Sequence, residues 1–200
     1  MEPWERAVFT VKCDLVTAVI DGKKQRVAGR VILFRFDSLT FQYRKVLDTF
    51  VKYAAGVVVD THPRFSRLSF EILSTGIDRD SVVDVLLKLV EGHTLVTFSG
   101  STVFAALGID EYIVGRYVGK HVELQDFFRR PDGQPFALGP LAIYFGYKHN
   151  GRQVILNHDS VQDAYYHLRL FNDHYSANET FEPMSAIMSK AEFCRKYNVY

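Results

Sequence analysis

Between Ala7 and Val19, apolar and largely β-branched residues alternate with polar ones at close to period two, the pattern of a half-buried strand. Asp21-Gly22 follows as a turn signal, and Val27 to Phe36 is a second branched, apolar run bounded by it. Phe41 to Val51 supplies a third strand, and the three in series predict an antiparallel meander. The period then lengthens. Ser81 is read as a helix N-cap, after which Val82, Val83, Leu86, Leu87 and Val90 recur at helical spacing up to Gly92. Thr94 to Phe98 is a short strand of the buried type, and Thr102 to Leu107 a short helix ended by Gly108. His121 to Leu124 predicts another strand, leading into Asp126 to Arg130. Leu138 to Phe145 and Val161 to Phe171 read as helices, the second carrying Val161, Ala164, Tyr165, Leu168 and Phe171 on one apolar stripe.

A strand meander followed by alternating helix and strand predicts an α/β sheet with both parallel and antiparallel neighbours. No repeat, low-complexity tract or Pro/Gly/Ser-rich linker divides the chain, and 200 residues suit one domain with a sizeable core. The tail after Tyr175, with Ser176, Asn178, Thr180 and Pro183, reads as a surface extension ending in a short helix near Ala191 to Lys196. The organisation expected is a domain over residues 1–175 and an extension over residues 176–200.

Charge narrows the function. With 24 basic and 23 acidic residues the net charge is +1, which argues against a surface that attracts nucleic acid everywhere and leaves room for a local basic patch. The two cysteines, Cys13 and Cys194, match no zinc or CxxC spacing and suit a reducing compartment. No apolar run reaches the ~20 residues needed to span a bilayer. The first residues lack the basic and apolar regions of a secretory signal. The expected location is therefore cytoplasmic or nuclear, with no membrane partner.

Several segments together resemble one family. Asn157-His158-Asp159-Ser160-Val161-Gln162-Asp163-Ala164 matches a histidine followed five residues later by an aspartate, H-x-x-x-x-D-A, at the start of a last helix. Before it, Leu138-Gly139-Pro140-Leu141-Ala142-Ile143-Tyr144-Phe145-Gly146 is similar to a short "SLK-LA" helix with a trailing glycine. Leu95 to Leu107 has the frame of L-V-G-H…D-…-L without its polar letters, and Val11-Lys12-Cys13-Asp14-Leu15-Val16 is similar to D-C-E-M-V. Leu47 to Val51, and Val58-Val59-Asp60 through Phe65-Ser66-Arg67-Leu68, resemble the connecting strand and a "vvD…SGI" segment. In this order and spacing, from about Val8 to Tyr175, they resemble the DEDDh 3′–5′ exonucleases of the RNase H-like superfamily, in the branch of the RNA exonucleases and interferon-induced exoribonucleases. The fold implied is an RNase H-like (DnaQ-like exonuclease) mixed sheet flanked by helices.

The resemblance also implies a chemistry. In that family four acids hold two Mg²⁺ or Mn²⁺ ions, which generate the nucleophile and stabilise charge on the scissile phosphate, while a histidine serves as general base. The four acids fall here on Lys12, Asp14, Val103 and Asp163, and the histidine on His158. Two metal ligands are thus replaced, by Lys12 and Val103, and no Asp or Glu lies between Glu91 and Asp110 to stand in for the second. Lys12 and Asp14, two apart on a strand, share a face. Lys12 is therefore expected to form an ion pair with Asp14 or Asp163, as an internal cation in place of metal. His158 reads either as a base with no metal-bound water to act on or as a structural residue at a helix start.

The function implied is a catalytically inactive exonuclease-like module with no metal cofactor. It would bind RNA, or the proteins of an RNA-processing or RNA-silencing complex. A protein-only scaffold or homodimerisation domain, and a residual metal-dependent 3′–5′ exoribonuclease, are the alternatives. Candidate phosphate contacts are Arg64, Arg67, Arg129, Arg130, Lys148 and Arg152, each of which also fits a solvated surface. The aromatic residues Phe127, Phe128, Tyr165, Tyr166 and Phe171 read as core rather than as base-stacking platforms. Phe181, Met184, Ile187, Met188 and Phe193 make the extension a candidate docking segment or an added helix.

Overall fold

The structure is a computed structural model that describes residues 7–149, 152–153 and 159–176, the side chains of residues 64, 65, 148, 149, 152 and 153 excepted. Its elements in chain order are β1 (Val8–Ile20), β2 (Lys23–Asp37), β3 (Gln42–Lys52), β4 (Val58–Asp60), α1 (Pro63–Ser66), α2 (Phe70–Ser74), β5 (Ile77–Asp78), α3 (Arg79–Val90), β6 (Thr94–Thr97), α4 (Gly100–Leu107), α5 (Glu111–Tyr117), β7 (Lys120–Glu123), α6 (Leu124–Phe127), α7 (Leu138–Tyr144), β8 (Lys148–His149), β9 (Arg152–Gln153) and α8 (Ser160–Leu170). A π-helical turn, Phe171–Tyr175, continues α8.

The meander is present. Asp21 and Gly22 both take positive φ, 50° and 72°, and turn β1 back into an antiparallel β2, which pairs in turn with β3. Strands β6 and β7 then add in parallel, so a mixed seven-stranded sheet runs β5-β3-β2-β1-β6-β7, with β4 against the far end of β1. On its second edge β1 pairs with β6 only through Val8 to Thr10 and with β4 only through Thr17 and Ala18. Among the described residues no strand lies beside the stretch between them, and this gap frames the site.

Alternation along β1 divides the core. Phe9, Val11 and Cys13 point to one face, where α3, α4 and α5 bury Leu86, Val90, Phe104, Leu107 and Val114 against them. The other face carries α8. Ala164 and Leu168 pack there on Ile32, Phe34 and Phe36, while Tyr166 and Leu170 join Val96, Val122, Phe128 and Leu141. Burial of α8 is wider than the expected stripe, because α7 covers its second side. Tyr166, Phe128 and Phe171 are core, as read, with Tyr165 and Phe127 packed against it.

One reading of the sequence needs correction. The N-cap of α3 is Asp78, not Ser81: its carboxylate accepts from the Ser81 backbone N–H at 2.8 Å and from the Ser81 hydroxyl at 2.6 Å, which a serine inside the first turn cannot supply. Helix α5, which the sequence reading did not predict, is capped by Asp110 through the Tyr112 N–H. The segment resembling "vvD…SGI" forms strand β4 and the short helix α1. Residues 177–200, with the expected docking segment and Cys194, lie outside the described residues.

Candidate functional site

Strand β1 and helix α8 meet in a polar zipper. The sequence Thr10-x-Lys12-x-Asp14 puts three polar residues on one face of a largely apolar strand, and Ser160, Asp163 and His167 fall on one face of α8 at spacings of three and four. The helix runs opposite to the strand, so the pairs are Asp14 with Ser160, Lys12 with Asp163, and Thr10 with His167. Seven residues of helix rise about 10.5 Å, and four of strand about 13 Å, close enough to keep all three rungs in reach. Asp159 starts α8 at this level by accepting from the Val161 N–H at 2.9 Å.

One of the rungs is an ion pair. The Lys12 Nζ lies 3.1 Å from Asp163 Oδ2, so the ion pair expected of Lys12 is present and its partner is Asp163. Burial alone would lower the Lys12 pKa. The charge and hydrogen bond of Asp163, with the charge of Asp14 behind them, more than offset this, and the net shift is upward. Asp14 accepts a hydrogen bond from the Ser160 hydroxyl, and the Arg30 guanidinium approaches its second oxygen at 3.8 Å. Burial pushes the Asp14 carboxyl up, against the opposing pull of Ser160, Arg30 and Lys12. On the third rung His167 Nδ1 sits 3.1 Å from Thr10 Oγ1, with its ring stacked on Phe98. Burial, reinforced by the Lys12 charge, drives its pKa well below the ordinary value, so the imidazole is neutral.

Sequence reasoning missed Arg30. It forks onto Asp48 through Nε at 2.7 Å and a terminal nitrogen at 2.8 Å, while Lys45 reaches the same carboxylate at 2.5 Å. Lys12, Arg30 and Lys45 thus face Asp14, Asp48 and Asp163, three cations to three anions. Arg30 arrives through a β-bulge. From the turn, β1 and β2 pair in register up to Leu15 opposite Ala28, but Asp14 lies opposite Arg30, so Gly29 is the extra residue. A simple two-residue hairpin read from Asp21-Gly22 would set Gly29 opposite Asp14. A side chain at Gly29 would meet Leu68 Cδ1 at 2.6 Å and Val16 Cγ1 at 2.7 Å.

Two adjoining cavities, of about 310 and 320 Å³, open at this cluster and share Asp14, Ser66 and Ser160. Arg30 and Arg67 line the first over an apolar floor of Phe50, Leu68 and Ile72, and Lys12, Arg26 and His62 line the second. Their common wall, around α1, is held in a costly conformation: His62 and Arg67 flank that turn with φ of 49° and 55°. Asp60 and Thr17 fix the His62 ring, at 3.2 and 2.8 Å.

The other expected residues lie apart. Val103 is buried in the core with Val11 and Phe104, not on the cavity walls. Arg129 and Arg130 pair with their neighbours Asp126 and Asp132 in the turn after α6. His158 lies outside the described residues, as do the side chains of Arg64, Lys148 and Arg152. Among the described residues, no group of three or more His, Cys, Asp or Glu side chains is arranged to hold a metal ion. No described helix is long and apolar enough to cross a membrane.

The fold is that of known RNA exonucleases. The Saccharomyces cerevisiae Pan2 pseudoubiquitin hydrolase–RNA exonuclease module, solved with AAUUAA RNA, superposes over 96% of this chain and 32% of its own, with a TM-score of 0.66 and 18% identity. The same module without RNA matches at 0.63 and 20% over the same shares. A 3′-exonuclease that recognises the histone mRNA stem-loop covers 84% of this chain and 64% of its own, at 0.57 and 12%. The chain spans about a third of the Pan2 chains it matches. No family model matches the sequence, and no curated protein matches it at a significant level. The chain therefore has the exonuclease, RNase H-like fold: a mixed seven-stranded sheet flanked by helices.

Proposed function

We propose that this chain is a catalytically inactive exonuclease-fold module that holds single-stranded RNA in the cleft around Asp14 and does not cut it. One observation carries the reading. Each carboxylate that the DEDDh pattern retains at this point already faces a side-chain cation, Asp163 with Lys12 and Asp14 with Arg30. Two unit charges 4 Å apart interact by about 4 kcal/mol at an effective dielectric of 20. A divalent ion entering beside Lys12 would meet roughly twice that in repulsion, and would also have to displace the existing pairs. The residues present do not fit a two-metal centre, and no step of phosphodiester cleavage is assigned to them. Reinstating the acid at Val103 would bury a charge in the core.

RNA is the favoured ligand because Arg26 and Arg67, which form no ion pair among the described residues, line the two halves of the cleft. Structures of the same fold, at low identity, were solved with RNA. Protein partners of an RNA-processing or silencing complex, and a nuclear or cytoplasmic location, accord with this role. The test uses labelled single-stranded RNA and Mn²⁺ with the purified chain. A mobility shift without shortening, weakened by Arg26→Glu and Arg67→Glu, is expected. Shortening of the RNA, or measurable Mn²⁺ binding by calorimetry that Lys12→Asp with Arg30→Gln does not strengthen, would overturn the proposal.

A further inference from the structure

A second exposed feature lies at the opposite end of β1. The β2–β3 ladder continues one pair beyond Val8, to Asp37 opposite Gln42, and the turn at residues 38–41 projects past that end of the sheet. Its tip exposes Leu39 and Phe41, 82% and 79% accessible, the two most exposed large apolar side chains described. The turn is tied by local hydrogen bonds. The Asp37 carboxylate accepts from the backbone N–H groups of Leu39 and Thr40 at 3.0 and 3.3 Å, and Phe41 takes a positive φ of 53°. The Phe41 ring then stands edge-on to Phe36, which packs on Tyr43, and that ring meets Tyr165 of α8. Phe41 is thus the open end of an aromatic row anchored in the core.

The opposite side of the same ribbon carries a cationic pair, with the Asp37 carboxylate at its end interacting with Arg35. Arg35 and Arg44 are directly paired across β2 and β3, both exposed, and neither forms an ion pair among the described residues. Like charges directly opposite each other, with Cβ atoms about 5 Å apart, destabilise a ladder, and Arg44 contacts only the neutral Gln42 side chain. An anion between the two guanidiniums would relieve that repulsion. An exposed ring at the tip and a cationic pair on the other side of the ribbon are what a single nucleic-acid strand recognises, with phosphate on one and a base on the other. Because a two-stranded ribbon is one backbone thick, successive nucleotides can pass from the arginine side round the tip.

We infer that the β2–β3 tip is a single-stranded RNA contact, with Arg35 and Arg44 clamping a phosphate and Phe41 stacking a base. The inference rests on the RNA-binding reading, and it extends the bound strand beyond the cleft. The test measures fluorescence anisotropy of labelled single-stranded RNA against salt for the native chain, Phe41→Ala, Arg35→Gln with Arg44→Gln, and Arg26→Glu with Arg67→Glu, circular dichroism confirming that each is folded. The expected results are about tenfold weaker binding for Phe41→Ala at unchanged salt slope, and a slope reduced by about 0.7 for the arginine pair, one phosphate's share on a single strand. Native-like binding by both tip variants, with loss in the cleft variant, overturns the tip contact and leaves the cleft reading standing. Loss in the tip variants alone supports the tip and removes the cleft. No binding by the native chain overturns both.

Discussion

Lys12→Met tests whether the ion pair to Asp163 is a working part of the fold. The substitution keeps most of the stem and removes the charge, leaving Asp163 and Asp14 without it. Breaking a fully buried pair costs about 3–5 kcal/mol, whereas an exposed pair contributes about 0–1 kcal/mol. Here the two side chains are 26% and 19% accessible, between these limits, so a loss of about 2 kcal/mol is expected. For a chain of this length that lowers Tm by roughly 4–8 °C. The sign of the pH dependence follows from the upward shift of Lys12. Its contribution is full below the ordinary ammonium value of 10.5 and is lost as pH rises through the higher folded value. The native chain should therefore lose more stability than Lys12→Met above that pH. Urea unfolding of Lys12→Met, Asp163→Asn and the double variant closes a cycle, with an expected coupling of about 1–2 kcal/mol. If the two effects add to within about 0.5 kcal/mol and the alkaline slopes coincide, the ion pair contributes nothing and the substitute-cation reasoning fails.

Two further tests address the frame around the site. His167 is neutral in the fold with its pKa depressed, so its contribution is full above the ordinary 6.5 and is lost as pH falls below it, until the folded value is reached. A comparison of urea midpoints at pH 7.5 and 5.5 should show the native chain losing more than His167→Gln, by at most about 1.4 kcal/mol per pH unit; parallel losses would refute it. Gly29→Ala should cost about 1–3 kcal/mol by overpacking and loosen Arg30. Leu68→Ala in the same chain removes the atom at 2.6 Å, so the second change should cost less than it does alone; full additivity by thermal melts would show that the bulge tolerates a side chain.

Much of the fold was legible because the relevant patterns are local. The β1–β2 turn needs two residues at positive φ, and Asp21-Gly22 announces them. The periods of β1, α3 and α8 follow from which side meets the core. Segments with short or mixed periods were not legible. The helices α1, α2 and α5 take four, five and seven residues, too few for a periodic signal, and the first is bounded by strained non-glycine residues that no propensity favours.

At the site, the sequence by itself determined that Lys12 and Asp14 share a strand face and that Asp163 begins a helix at the matching end of the chain. Both follow from side-chain periods of two and 3.6, which are properties of the backbone alone. Only the tertiary structure decided that Lys12 chooses Asp163, that His167 sits neutral beside Thr10, and above all that Arg30 reaches Asp14. A register slip of one residue reverses every side chain beyond it. At the slip, Leu68 and Val16 pack where a Cβ on Gly29 would stand, and Leu68 lies nearly forty residues away in sequence, a contact to which local pattern is blind.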